Sequence, residues 1–428
     1  MISLPRFVIR FFCIGLACVG ALLHASSLSP QEEKITGYID AHRADFVRDL
    51  EAVVRIDSAT ENLAGVRQVG EIFKQQLEAI GFDSRFVPLP PETGRAGHLV
   101  AEHRGTKGKK VLLIGHLDTV LPGGSWKVVG ERAYGSGTND MKGGDVVIIQ
   151  ALQALHAAGL LEDTQITVVM TGDEEAPGNP LEVSRRDLLE AAKRSDLALA
   201  FEGAIDHTGT VARRGIVSWT LEVQGATGHS SGIFSAAVGS GAVYEAARIL
   251  VEFHNQLREL DGITCNPALV VGGTEASLDR TGGQVSGKSN IIAQRTLVRG
   301  DLRYLSAEQL AQAQGIMRAI VAKHFPRTSA ELVFMDDGYP AMAPTKANYA
   351  LLAHLDEVCR DLGFGPVTAY DPKGRGAGDV AFVSPPLAGI DGLGLRGEGS
   401  HAPGEWADLS TAPELVKRAA VLIYRLTR

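Results

Sequence analysis

The sequence predicts an α/β main domain, with a mixed sheet between helices, that is interrupted by an inserted α+β domain. Three observations predict this fold. Short apolar runs alternate with helical stretches over residues 111–201, a different alternation fills residues 217–335, and helical periodicity returns after residue 346. At 428 residues, two domains are the default expectation.

The first block alternates apolar strands with helices. Strands are predicted over residues 111–115, 166–170 and 197–201, and helices over 145–158 and 185–194. Apolar strands separated by helices indicate a sheet that is covered on both faces. Loops at the carboxyl ends of such strands are where an α/β fold places its functional site.

The second block has a strand, a helix, two strands, a helix and a strand. They are predicted over residues 217–223, 236–257, 268–272, 296–304, 307–324 and 331–335. This order is typical of a compact, ferredoxin-like α+β unit. We therefore predict an inserted domain over residues 214–337, between main-domain segments 26–213 and 338–428.

Two helices are predicted after the insertion. The first covers residues 346–362, and the second starts at Thr411 and carries an apolar stripe to Leu426. Glu414 lies three residues after Thr411, which predicts a capping box at the start of the last helix.

The composition is that of a soluble globular protein, with 45% hydrophobic and 21% charged residues. A net charge of −8 and the lack of a clustered basic run argue against nucleic acid as a partner. After the N-terminal segment only Cys265 and Cys359 remain, so we expect no disulfide framework, and the sequence leaves open whether the two cysteines are free.

The N-terminal 25 residues resemble a secretory signal peptide. Arg6 and Arg10 precede an uninterrupted run of 13 apolar residues, and small residues follow up to Ala25. The run is shorter than the roughly 20 residues that a membrane-spanning helix needs. We expect cleavage after Ala25, no stable membrane anchor, and a periplasmic or secreted protein; an uncleaved anchor is the alternative.

Five candidate metal ligands lie in short stretches that follow apolar runs or glycine-rich turns. They are His116 in VLLIGHLDT, Asp140 in GSGTNDMKGG, Glu175 in ITVVMTGDEE, Glu202 in LALAFEG and His401 in EGSHAPGEW. Two imidazoles and three carboxylates suit a pair of zinc ions. A paired-metal centre activates water for hydrolysis, so the set indicates a hydrolase.

Each candidate also has an ordinary structural interpretation. A histidine at a strand end is more often a polar loop residue, and Asp140 could cap the helix that follows it. Glu174 and Glu175 could belong to a solvated loop. Against these alternatives, Asp118 is placed to orient His116 as a metal ligand, and one of the two glutamates could bind metal while the other, beside a metal-bound water, serves as general base.

The motifs, taken together and in order, resemble the dizinc peptidase and amidohydrolase family. The resemblance rests on GHLDTV, GSGTNDMKGG, TGDEE, FEG, GATGHS and HAPGE and extends from about residue 30 to the C-terminus. Members of the family include glutamate carboxypeptidase, aminoacylase, carnosinase and succinyl-diaminopimelate desuccinylase. The chain is most similar to the glutamate carboxypeptidase branch.

The resemblance implies two zinc ions per chain, which other divalent metals such as Co²⁺ could replace. Asp140 would bridge them, His116 and Glu202 would complete one site, and Glu175 and His401 the other. Glu174 would be the general base, and Asp118 would orient His116. A cis peptide bond is expected between Asp140 and Met141.

The resemblance also implies that the inserted domain is a lid and a dimerisation domain. His229 would cross the interface of a homodimer and stabilise the oxyanion in the partner's site. Asn290 and Arg303 would hold a substrate carboxylate. Arg213 and the glycines Gly376 and Gly378 of the GAGD turn are weaker candidates for the same pocket.

The expected function is that of an exported zinc exopeptidase that hydrolyses the amide bond to a C-terminal amino acid. Alternatives are a dipeptidase, an N-acyl amino acid amidohydrolase, and a non-catalytic relative that binds zinc or peptides. The chain departs from the family pattern at Ser136, at Ala293 and in the longer stretch 176–184, which we expect at the edge of the site. These departures leave the substrate open.

Overall fold

The computed structural model describes residues 28–279, 282–336 and 338–428. The signal peptide predicted for residues 1–25 lies outside the described residues. Within the described part of the chain, no helix is long and apolar enough to cross a membrane.

The helices fall into three groups: three N-terminal helices, those that connect the strands, and a C-terminal helix that packs in the core. In chain order they are α1 Pro30–Ala41, α2 Arg43–Val54, α3 Leu63–Glu78, α4 Lys142–Ala157, α5 Leu181–Ser184, α6 Arg186–Ala192, α7 Gly241–Leu257, α8 Ala307–Val321, α9 Lys346–Asp361, α10 Val380–Val383 and α11 Ala412–Leu426.

The strands form two larger sheets and several small ones. In chain order they are β1 Asp83–Pro88, β2 Gly97–His103, β3 Lys107–His116, β4 Lys127–Val129, β5 Arg132–Tyr134, β6 Thr164–Thr171, β7 Leu197–Ala200, β8 Thr208–Gly209, β9 Gly215–Gly225, β10 Thr264–Gly273, β11 Glu275–Leu278, β12 Gly283–Ser286, β13 Arg295–Tyr304, β14 Thr328–Phe334, β15 Thr368–Ala369, β16 Ala388–Ile390, β17 Gly397–Glu398 and β18 Trp406–Asp408.

The main sheet has the strand order β1-β2-β6-β3-β7-β16. Strand β3 pairs in parallel with β6 and β7, and β7 pairs in parallel with β16. Strands β1 and β2 are antiparallel to their neighbours. The predicted mixed sheet is therefore confirmed, and its last strand comes from the segment that follows the insertion.

The central strand β3 is buried on both faces. Val111 and Leu113 pack into the core that contains α4 and α11, whereas Leu112 and Ile114 pack with residues of α6 and α10. Burying such a side chain is typically worth about 1.5–3 kcal/mol. Because both faces contribute, the end of β3 is held rigidly where it carries His116.

The inserted domain has a four-stranded antiparallel sheet in the order β10-β13-β9-β14. Along β9 every second residue is buried, and Trp219 meets Phe253 of α7 edge to face at 5.8 Å. Helices α7 and α8 cover the buried face. The arrangement confirms the predicted ferredoxin-like unit.

Two sequence predictions about helix starts were wrong. The helix predicted from residue 236 begins at Gly241. Gly239 and Gly241 have φ of 72° and 74°, in the left-handed region that the interior of an α-helix excludes, so the regular helical turns can only follow them. The capping box at Thr411 does not form. The Thr411 hydroxyl instead donates to the Asp408 carbonyl at 2.7 Å, and Glu414 pairs with Arg396 at 2.6 Å.

Three of the six strands of the main sheet, β1, β2 and β16, were not predicted. Cys265 and Cys359 are both free in the structure. Burial raises the pKa of Cys265 to about 12 and that of Cys359 to about 11, so both remain neutral thiols.

Candidate metal centre

The candidate ligands converge because three neighbouring strands end at one edge of the main sheet. His116 is the last residue of β3 and lies beside Thr171, the last residue of β6. Glu174 and Glu175 follow β6, and Glu202 follows β7. The carboxyl ends of adjacent parallel strands meet at the same edge, so these side chains share one site.

Asp140 directs one carboxylate oxygen toward each of two histidines. His116 Nε2 lies 3.2 Å from Asp140 Oδ1 and 3.7 Å from Glu202 Oε1. His401 Nε2 lies 3.1 Å from Asp140 Oδ2 and 3.1 Å from Glu175 Oε2. Two groups of three possible ligands therefore share Asp140. His116, Glu174 and Glu175 form a third possible group.

The donor set fits a pair of divalent cations. Ligand atoms at 2.0–2.2 Å from a tetrahedral zinc lie roughly 3.4 Å apart, close to the separations in both groups. Glu175 Oε1 is buried without a hydrogen-bond partner. Burial and the neighbouring Asp140 carboxylate raise the pKa of Glu202 to about 7, with Arg213 and His116 opposing the shift. Two cations would offset this crowding of negative charge.

The electrostatics of the histidines match their carboxylate partners. Hydrogen bonds to Asp140 and Glu175 raise the pKa of His401 to about 10. Burial disfavours the charged form of His116, but Asp118 and Asp140 outweigh it and raise its pKa well above the usual value. Burial likewise opposes ionisation of Asp140, yet His116 and His401 hold its pKa far below the usual value. A bound cation would replace the protons of both imidazoles.

Asp118 contacts the main chain of Glu174 and Glu175 as well as the imidazole of His116. His116 Nδ1 lies 3.0 Å from the main-chain carbonyl oxygen of Asp118 and 3.5 Å from its carboxylate. The carboxylate accepts the main-chain N–H groups of Glu174 at 3.0 Å and Glu175 at 3.1 Å. The orienting contact to His116 thus comes mainly from the backbone, and the carboxylate fixes the chain that carries the two glutamates.

The turn that carries Asp140 is held by Glu405. Its carboxylate accepts the main-chain N–H groups of Gly137 and Asn139 at 2.8 Å and of Asp140 at 2.9 Å. The sequence analysis gave Glu405 no role; its place four residues after His401 in HAPGE was the available signal. The peptide bond Asp140–Met141 is cis, which confirms the expectation.

A pocket of about 410 Å³ opens beside the two groups of ligands. Arg213 and Gly376 line it, as do Asp140, Glu174 and His401. Arg213 is buried and donates to Asp391 at 2.5 Å and to the Ala377 carbonyl at 2.6 Å. A Cβ on Gly378 would lie 3.0 Å from Arg213 Cζ, so this glycine lets the guanidinium pack against the turn. Of the three weaker candidates, Arg213 and Gly376 therefore line the pocket, and Gly378 packs against Arg213.

Arg375 is a pocket residue that the sequence analysis missed, although it directly precedes the GAGD turn. Its Nε donates to the Thr210 hydroxyl at 3.0 Å and its Nη2 to the Gly203 carbonyl at 2.7 Å. Among the described residues it forms no ion pair within 4.0 Å. The pocket therefore holds a guanidinium whose bonded partners are neutral.

The three candidates in the inserted domain do not line this pocket. His229 is exposed, and the N–H of the following Ser230 donates to the Asn290 carbonyl at 2.9 Å, so His229 and Asn290 are neighbours. Arg303 lies near the end of β13, 3.4 Å from Asp301. Segment 176–184, expected at the edge of the site, does not line the pocket either.

Comparison with known proteins places the chain in a family. The family model "Peptidase family M20/M25/M40" matches residues 112–425. The chain is 27% identical to carboxypeptidase G2 of Pseudomonas sp. (strain RS-16) over 395 residues, which cover 89% of both chains. It is 26% identical to succinyl-diaminopimelate desuccinylase of Gluconobacter oxydans over 363 residues, 80% of this chain and 87% of that one.

A solved tripeptidase of Staphylococcus aureus has the same fold, with a TM-score of 0.67 and 18% identity, over 90% of this chain and 99% of the other. The family match covers most of the chain, including every candidate metal ligand, and agrees with the resemblance found in the motifs. The chain therefore belongs to peptidase family M20/M25/M40, and it is a metallopeptidase or amidohydrolase of that family.

Proposed function

We propose that the chain is an exported dizinc exopeptidase that hydrolyses the amide bond between an acyl group and a C-terminal amino acid. The observation that carries this proposal is the pair of ligand groups that share Asp140, with Glu174 beside them and a pocket lined by arginines. Such a site combines the parts needed to cleave an amide next to a free carboxylate.

His116, Asp140 and Glu202 would hold one cation, and Asp140, Glu175 and His401 the other. When bound, two such cations would lower the pKa of a water molecule and polarise the amide carbonyl of the substrate. Asp118 accepts the main-chain N–H groups of both Glu174 and Glu175. This would keep the Glu175 carboxylate at the cations and leave the Glu174 carboxylate for proton transfer.

Glu174 would accept a proton from the attacking water and deliver it to the leaving nitrogen. Burial raises the pKa of Glu174 well above its usual value; the charge of His116 opposes the shift, and Glu202 adds to it. A raised pKa makes this carboxylate a stronger proton acceptor, which suits a general base.

The substrate carboxylate would meet Arg303 and Asn290 when the inserted domain closes over the site. His229 would come from the partner of a homodimer and donate to the oxyanion. Three exposed valines of the inserted domain are candidates for that interface: Val243 is 47% exposed, Val251 57% and Val270 53%.

An N-acyl amino acid amidohydrolase is the second candidate, because a desuccinylase is among the relatives that the chain matches over most of its length. It would use the same centre and the same carboxylate pocket but cleave a simple acyl group, instead of a peptidyl group, from the nitrogen of the amino acid. Export is supported by the N-terminal pattern alone.

A substrate panel tests the proposal. N-acyl amino acids, dipeptides and folate-type glutamates are each offered with a free and with an amidated C-terminal carboxyl group. We expect hydrolysis of the free acids, loss of activity with a chelator, and recovery with Zn²⁺ or Co²⁺. Equal turnover of the amidated forms, or activity that resists metal removal, would overturn the proposal.

A further inference from the structure

A buried network of charged and polar side chains lies beneath the loop that carries Glu174. Arg185 is at its centre and is 1% exposed. Its Nη1 donates to Asp173 Oδ1 at 2.7 Å, and its Nε lies 2.8 Å from Asp379 Oδ1. Thr171 donates to the other oxygen of Asp379 at 2.5 Å. Buried charges of this kind are stable only when they are paired, so the loss of one partner would leave an uncompensated buried charge.

The network holds the main chain of Glu174 from the side opposite Asp118. The hydroxyl of Tyr339 accepts from Arg185 Nη2 at 2.5 Å and donates to the main-chain carbonyl of Glu174 at 2.6 Å. Burial raises the pKa of Tyr339 well above its usual value, so the phenol keeps the proton that it donates. The backbone of Glu174 is thus held on both sides of its Cα: Asp118 accepts its N–H, and Tyr339 donates to its C=O.

Tyr339 also belongs to the segment that leads back from the inserted domain. Its main-chain carbonyl accepts from the N–H of Ile216, at the start of β9, at 2.9 Å and from the hydroxyl of Tyr304, at the end of β13, at 3.1 Å. Its backbone therefore follows the inserted sheet, whereas its side chain is bonded to Glu174 and Arg185 of the main domain.

Gly338 makes this contact close. A Cβ at Gly338 would lie 2.1 Å from the carbonyl oxygen of Ile216, so the return segment lies directly against β9 with no side chain between them. A rotation of the inserted domain has to move this segment, and the backbone of Tyr339 with it.

We propose that Tyr339 is a positioning residue that couples the orientation of the inserted domain to the placement of Glu174. The coupling follows from one residue bonding to both domains: closure of the inserted domain shifts the Tyr339 backbone, and its hydroxyl transmits the shift to the Glu174 carbonyl. The inference rests on the proposed function, because it assigns Glu174 the proton transfer.

The test compares Tyr339→Phe with Tyr304→Phe. Both variants remove one buried tyrosine hydroxyl, but only the first removes a bond to Glu174. We expect Tyr339→Phe to retain two metal ions, to keep KM within the experimental error, and to lower kcat by about 10- to 100-fold, the cost of a catalytic group misplaced by about 1 Å. Tyr304→Phe leaves the Ile216 N–H bonded to the same Tyr339 carbonyl, so its kcat should fall less than that of Tyr339→Phe.

Amide hydrogen exchange supplies a readout that needs no turnover. Peptides covering residues 173–175 should exchange faster in Tyr339→Phe than in Tyr304→Phe, because the C=O anchor of Glu174 is lost. Equal kcat and equal exchange in the two variants would overturn the coupling. If the wild type hydrolyses nothing in the substrate panel, the proposed function fails, and the exchange comparison still decides whether Tyr339 holds the Glu174 carbonyl.

A second variant covers the case in which Tyr339→Phe does not fold. Thr171→Val removes the hydroxyl that donates to Asp379 and so weakens the network from its other end. A reduced kcat with faster exchange at residues 173–175 supports the network as the support of Glu174. Wild-type values for both would overturn it.

Discussion

The two domains differ in how completely they present their candidate functional residues. In the main domain, five candidate ligands lie with donor atoms 3.1–3.7 Å apart, although they are up to 285 positions apart in the chain. In the inserted domain, His229, Asn290 and Arg303 lie on or near the surface, and none of them lines the pocket. The main domain brings its candidate ligands together, whereas the candidate residues of the inserted domain lie away from the pocket.

The difference follows from what supports each set. His116, Glu175 and Glu202 lie at or just after the ends of main-sheet strands, and Asp118 and Glu405 fix the neighbouring turns by accepting main-chain N–H groups. The His229 ring contacts Ser231, whose hydroxyl lies 2.8 Å from Nδ1 and whose main-chain N–H donates to the same nitrogen at 3.3 Å. A rigid centre and a movable substrate clamp are what an enzyme that closes over its substrate requires.

The largest expected effect comes from Asp140→Asn. An amide cannot present two anionic oxygens to two cations, so both sites should lose affinity, and turnover should fall to background. Elemental analysis after gel filtration checks the metal content. Asp83→Asn, an exposed carboxylate on edge strand β1, is the control. Two ions retained by Asp140→Asn would refute the bridging role.

The next effect tests whether His229 acts across a dimer. His229→Ala should lower kcat by about 10²–10³-fold, as is typical for the loss of an oxyanion donor. When inactive His229→Ala and Glu174→Gln chains are mixed and allowed to exchange, each heterodimer contains one intact site. Activity should return to at most about a quarter of the wild-type value. No recovery in a mixture shown to contain heterodimers would place His229 in its own chain's site or outside catalysis.

Arg303→Ala should have a smaller effect that depends on the substrate. Losing a hydrogen-bonded charge pair costs about 1.5–3 kcal/mol, or roughly 10- to 100-fold in kcat/KM. We expect this loss for substrates with a free carboxylate and little change for their amides. Arg299→Ala on the same strand, whose guanidinium donates to the Asp279 carbonyl, is the matched control. A loss of equal size for the amides would remove the proposed role.

The last prediction concerns metal affinity as a function of pH. Because the pKa of His401 is raised to about 10 in the metal-free protein, its proton must leave before a cation binds. Affinity should therefore rise with pH over the range from 6 to 9, by about tenfold per unit for each proton displaced. Competition with a chelator at several pH values measures it. An affinity independent of pH would show that His401 does not bind the cation.

The sequence predicted strands β3, β6 and β7 and the candidate ligands that the fold brings together, because both depend on local patterns. Apolar runs that end in His, Asp or Glu identify strand ends, and parallel neighbours bring those ends together. In the inserted domain it predicted the four strands of the sheet and the two helices, but not the hairpin of β11 and β12. The antiparallel strands β1 and β2 were missed, since they carry neither the motifs nor the helix alternation that marked the rest.

The supporting residues were harder to predict because their roles depend on contacts between distant parts of the chain. Arg185 and Tyr339 are 154 positions apart and meet only in the fold. Arg375 looks like an ordinary loop residue until its partners, a hydroxyl and a carbonyl, are known. The capping box at Thr411 failed for the same reason, because Arg396 takes the Glu414 carboxylate that the motif would have used.

The most direct test measures metal content and turnover together in the wild type and in Glu174→Gln, with Glu182→Gln, an exposed glutamate on α5, as control. We expect two ions per chain in all three proteins. Turnover should fall only in Glu174→Gln, by about 10²–10⁴-fold, the range for a lost general base. Near-normal turnover of Glu174→Gln, or fewer than two ions in the fully active wild type, would contradict it.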